Sequence, residues 1–158
     1  MDNFEDMLSG AIQRGKAQGK KVTKAAASDK MSQEELKRLH SKYRLSLSDF
    51  IEGKVGQLPN HFPGFRYETV YGDRGWGAAC YRDDAGSGRR DFYSRLEITV
   101  RPLGEFNVLD TSVRGTIRNK EIFQRSFFQE LEEVEMGRFE ETIQNWILSY
   151  AQEFSAAN

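Results

Sequence analysis

The sequence predicts an α+β fold in two layers: a long N-terminal helix, a four- or five-stranded antiparallel meander, and a C-terminal helix packed on the same sheet face. Three observations predict it. Apolar residues keep helical spacing from Leu36 to Leu58 and again from Phe139 to Phe154. Between these stretches the apolar period falls to two, most clearly where Leu96, Ile98 and Val100 alternate with Arg95, Glu97, Thr99 and Arg101. Glycine-rich turns separate the period-two runs, as hairpins require.

The elements follow in chain order. Phe4, Leu8 and Ile12, with Met7 and Ala11 beside them, form a short amphipathic helix of about three turns, a length that needs a docking surface to stay helical. Lys16, Lys20, Lys21, Lys24 and Lys30 then lie in a Gly- and Ala-rich stretch that reads as a flexible basic linker. Residues 1–30 are therefore assigned to a flexible N-terminal segment, and residues 31–158 to one α+β domain.

Ser32-Gln33-Glu34-Glu35 has the form of a capping box and is expected to start the long helix. Leu36, Leu39, Tyr43, Leu47, Phe50, Ile51, Val55 and Leu58 form its stripe, and Pro59 is expected to end it. The first strand alternates Phe65, Tyr67, Thr69 and Tyr71 with Arg66, Glu68 and Val70. Gly72-Asp73-Arg74-Gly75 turns it into a second run from Trp76 to Arg82. A loop from Asp83 to Arg90 leads to the third strand, where Phe92 joins Leu96, Ile98 and Val100 on one face and Tyr93 joins the polar face. Pro102-Leu103-Gly104-Glu105 leads into a fourth strand, roughly Phe106 to Arg118. Glu121 to Phe127 reads as a fifth strand, with a helix beginning at Ser126 as the competing reading. The last helix runs from about Glu135 to Phe154, with Phe139, Ile143, Trp146, Ile147, Tyr150 and Phe154 toward the sheet.

Composition narrows the class. At 38% hydrophobic and 30% charged, a chain of 158 residues is expected to bury one core. It has no apolar run near the roughly 20 residues of a membrane span and no signal-peptide pattern at its start, so no membrane is expected and the location reads as cytoplasmic. Cys80 is the single cysteine, which excludes an intrachain disulfide and a cysteine-based zinc site. With two histidines and no paired ligand motif, neither a metal nor another cofactor is expected.

Three function classes compete. A nucleophilic Cys80 would take His40 or His61 as base and Asp83 or Asp84 as orienting acid, giving an enzyme built on the loops around Cys80 and Asp84. A lone Cys between Ala79 and Tyr81 on a strand is more often a small core residue. Single-stranded nucleic acid is the second class, because ten Arg and one Lys between His61 and Ser126 interleave with aromatic residues. Nearly as many acids in the same strands argue against it, and no RNP-like motif is present. The third class is a non-enzymatic protein-binding or adaptor domain that contacts another protein, or a second copy, through the outer sheet face or the N-terminal segment. Its candidate residues are Tyr93, Arg95 and Arg101, Trp76 if its side chain points outward, and Arg89 and Arg90 of the glycine loop. This third reading is preferred, because no complete catalytic constellation can be assembled.

Overall fold

The computed structural model describes residues 4–15, 29–83 and 92–157, with side chains from 33 onward in the second of these. Backbone proximity divides the chain into two units, Met1–Arg38 and Leu39–Asn158. In the first, helix α1 covers residues 4–15 and leaves Phe4, Met7, Leu8 and Ile12 exposed. Helix α2, Asp29–Val55, begins in the first unit and ends in the second.

Two boundaries of α2 differ from the expectation. The helix starts at Asp29, a turn before Ser32, so the Ser32–Glu35 pattern lies within it and does not open it. It ends at Val55, where Gly56 and Gln57 turn the chain, and Pro59 sits in the first turn of the short helix α3, Leu58–His61. Proline is tolerated there because the first-turn amides have no intrahelical acceptor to lose.

The described strands are β1 (Arg66–Val70), β2 (Trp76–Asp83), β3 (Tyr93–Val100), β4 (Val108–Ile117) and β5 (Lys120–Glu130). They pair antiparallel in sequence order, β1-β2-β3-β4-β5, as a meander. Residues 121–127 are strand, which settles the one ambiguous segment. Arg118 and Asn119 both take positive φ, at 51° and 69°, and so make the tight two-residue turn between β4 and β5. Beyond β5 a 3-10 turn, Leu131–Glu133, leads to helix α4, Met136–Ala157.

Register fixes the faces. Ala78 pairs with Ile98, Cys80 with Leu96 and Trp76 with Val100; across the next ladder Ile98 pairs with Val113 and Leu96 with Gly115. Ala78, Cys80, Leu96, Ile98, Val100 and Val113 are all buried, so this is the inner face. Leu47, Ile51 and Val55 of α2 and Phe139, Ile143, Trp146, Tyr150 and Phe154 of α4 complete the same core. Both helices lie on this face. The Arg44 guanidinium of α2 stacks 4.2 Å above the Trp76 ring, and the Tyr150 hydroxyl of α4 donates to the Thr116 carbonyl at 2.9 Å. Gly115 makes room for α4, since a Cβ there would stand 3.2 Å from the rings of Tyr150 and Phe123. Phe65 docks the start of β1 on the helix end through a tilted ring contact with Phe62 and an edge contact with Phe154.

Candidate functional site

The alternate residues of the same strands form the outer face. Arg95 holds its centre: Nη1 donates to Glu68 at 2.6 Å and Nη2 to Glu97 at 3.1 Å. Burial opposes a charge on Arg95, but the hydrogen bonds to the two glutamates outweigh it and keep the guanidinium ionised. Arg114 donates through Nε to Glu121 at 3.1 Å. Arg101 stands 3.8 Å from Asp110, whose carboxyl is raised from its ordinary pKa by burial, with the Arg101 charge pulling the other way. One oxygen of Asp110, Oδ1, is buried without a hydrogen-bond partner among the described residues.

Two hollows open on this face. One, of about 360 Å³, is lined by Arg74, Arg101, Arg114, Thr99, Ser112 and Gln124, with Asp73 and Glu97 also at its wall. The other, of about 420 Å³, has Arg74, Arg95, Glu97, Arg114 and Glu121 in its lining. Arg74, Glu97 and Arg114 belong to both, so the two hollows make one polar groove across the strands. Arg74 reaches it from the β1–β2 turn, where Gly72 and Gly75 take positive φ, at 137° and 129°, and the Gly75 amide donates to the Gly72 carbonyl at 3.1 Å. Only glycine adopts that backbone without strain, so the turn that aims Arg74 is written into the sequence.

Hydrogen-bonding capacity in the groove is unbalanced. A guanidinium carries five N–H donors. Arg74 has no hydrogen bond or ion pair among the described residues, Arg114 is engaged only through Nε, and Arg101 meets Asp110 beyond hydrogen-bond distance. The face is therefore rich in unused donors, although its charges nearly balance.

The candidate residues separate accordingly. Arg95 and Arg101 lie at the groove, and Tyr93 lies on the same face against Tyr81, with ring centroids 6.4 Å apart. Trp76 does not belong to this face: it is directly opposite buried Val100 and is covered by Arg44, so its side chain points to the helices. Arg89, Arg90 and Asp84 fall outside the described residues. The sequence reading missed Arg74, Ser112 and Arg114 as groove residues. Period-two alternation in β4 marks Ser112 and Arg114 as outward, whereas the reach of Arg74 depends on a turn geometry that periodicity does not encode.

The catalytic reading finds no support around Cys80. Its thiol is fully buried in β2, and burial pushes its pKa up to about 12, against smaller pulls from a Leu96 backbone bond and the Arg95 charge. A thiol in that state is not a nucleophile at neutral pH. Among the described residues no hydrogen bond joins it to His40 or His61, and His61 is exposed on α3. Nor do three or more His, Cys, Asp or Glu residues gather as a metal site among the described residues, and no described helix is long and apolar enough to cross a membrane.

A third hollow, of about 620 Å³, lies between α3 and α4 and is lined mainly by Leu58, Phe62, Ile147, Leu148 and Ala151, with Lys54 and His61 also in its lining. It is larger than either hollow of the groove and more apolar, but brings together no comparable set of unused donors.

No protein-family model, curated protein or solved structure matches the chain.

Proposed function

We propose that the chain is a non-enzymatic protein-binding module whose working surface is the outer sheet face, and that it recognises a peptide segment bringing carboxylate or carbonyl oxygens. The unused guanidinium donors of Arg74, Arg101 and Arg114 around one groove carry this reading. Arginine forks pair with carboxylates in two parallel bonds, and such pairs give orientation as well as affinity. The ion pairs of Arg95 hold the floor of the groove in place, so that little ordering is needed when a partner arrives.

Single-stranded nucleic acid is the weaker occupant. Stacking needs several aromatic rings on the binding face. The strongest aromatic candidate, Trp76, lies on the other side of the sheet, opposite buried Val100 and under Arg44.

Calorimetric titration with a glutamate-rich peptide and with oligothymidylate at low salt tests the reading. The peptide is expected to bind, and Arg74→Ala with Arg114→Ala is expected to weaken it about tenfold, the loss of two exposed charged contacts. Binding of the oligonucleotide in preference to the peptide would replace this reading with the nucleic-acid one.

A further inference from the structure

We infer that the groove takes the acidic turn of a second copy of this chain, so that copies associate head to tail. The inference rests on the reading of the outer face given above and names its partner.

The complementary segment lies at the β5–α4 corner. Glu130, Glu132, Glu133 and Glu135 are four exposed carboxylates within six residues, in a C-terminal stretch, residues 127–158, that holds seven acidic residues and one basic one. The segment is also held in shape. Leu131 is buried at its centre and its amide donates to the Asn107 carbonyl at 3.1 Å, while the Glu135 amide donates to Gln129 Oε1 at 2.7 Å. The 3-10 turn between these anchors presents Glu132 and Glu133 to solvent side by side. No described hydrogen bond or ion pair engages the carboxylates of these two residues.

One surface of the molecule thus has guanidinium donors that its own acids leave partly unengaged, and another has preformed acceptors that no described residue engages. The two surfaces are different patches, so the contact between copies is heterologous. Such a contact leaves one groove and one turn open at the ends of every assembly, and growth continues unless a ring closes. Because the paired groups are exposed charges, the association is fast, weak and lost at high salt.

Sedimentation velocity on the full chain over a concentration series at low and high salt tests this, using two neutralised variants. Arg74→Ala with Arg114→Ala removes the groove donors, and Glu132→Gln with Glu133→Gln removes the acceptors of the turn. The wild-type chain is expected to grow past the dimer or close a ring at low salt and to dissociate at high salt, with each variant alone associating at least about tenfold more weakly. An equimolar mixture of the two variants has one intact groove and one intact turn per pair, so it is expected to form a one-to-one dimer and stop there. A wild-type chain that stays monomeric at low salt, or variants that associate as the wild type does, would overturn the inference. The glutamate-rich peptide, titrated into the Glu132→Gln, Glu133→Gln variant, whose groove is intact, separates the two levels: peptide binding to this variant beside a wild-type chain that stays monomeric removes the second copy as partner and leaves the groove reading standing, whereas a variant that does not bind the peptide removes the groove reading as well.

Discussion

The two faces of the sheet are made by the same strands from alternate residues, yet they are held by different forces. On the inner face Leu96, Ile98, Val100 and Val113 are buried against α2 and α4, and removal of apolar surface from water does the work. On the outer face Arg95 bridges Glu68 and Glu97, and Arg114 meets Glu121, in contacts that remain partly wet. Half-exposed ion pairs contribute little to stability. The inner face therefore sets whether the chain folds, and the outer face adds comparatively little to its stability.

Trp146 gives the sharpest contrast. It is buried at 5% exposure on the core side of α4, and replacement by Ala is expected to cost about 3–5 kcal/mol, the range for large-to-small aromatic changes in cores. Urea unfolding measures this directly. A cost below about 1 kcal/mol, on the scale of an exposed pair, would erase the distinction between the faces.

A smaller effect is expected at His40, on the helix side, where only 4% of the residue is exposed and Nε2 has no hydrogen-bond partner among the described residues. Burial lowers its pKa from 6.5; a backbone bond to Arg101 opposes this and the Arg44 charge adds to it. The unfolded chain therefore takes up this proton before the folded one does, and stability falls as pH drops through about 6.5. Asp110, raised by burial, works in the opposite sense: it keeps its proton longer when folded, and the stability this gives is lost as pH rises through its folded pKa. Comparing the urea midpoints of wild type and His40→Gln at pH 8 and pH 5.5 isolates the histidine. The wild type is expected to lose more stability on acidification than the variant, and equal losses would show that His40 is not buried in the neutral form.

The smallest stability effect is expected at the groove. Arg74→Ala with Arg114→Ala should shift the unfolding free energy by no more than about 0.5 kcal/mol, since Arg74 has no partner to lose among the described residues and Arg114 loses one exposed pair. A larger loss would mean that the outer face also supports the fold.

Most of the fold was legible because it rests on periodicity. Leu96, Ile98 and Val100 alternate with polar residues, and the stripe from Phe139 to Phe154 matches one face of a helix, so the local pattern and the final packing agree. The errors fell where two local signals compete. A capping pattern at Ser32 was outweighed by helix-compatible residues before it, and Pro59 fitted the start of a new helix as well as the end of an old one. The candidate site was legible only in part. Alternation places Arg95 outward, but the orientation of Trp76 follows from the β2–β3 register, and the presence of Arg74 and Arg114 in one groove follows from the β1–β2 turn, whose reach periodicity does not encode.

The most direct test of the outer face as working surface is the map of amide chemical-shift changes when the glutamate-rich peptide is titrated into the 15N-labelled chain. Changes are expected to cluster at Arg74, Glu97, Ser112, Arg114 and Gln124, with the helices silent. Changes centred on Leu58, Phe62, Ile147 and Leu148 would contradict it, and would move the binding surface to the hollow between α3 and α4.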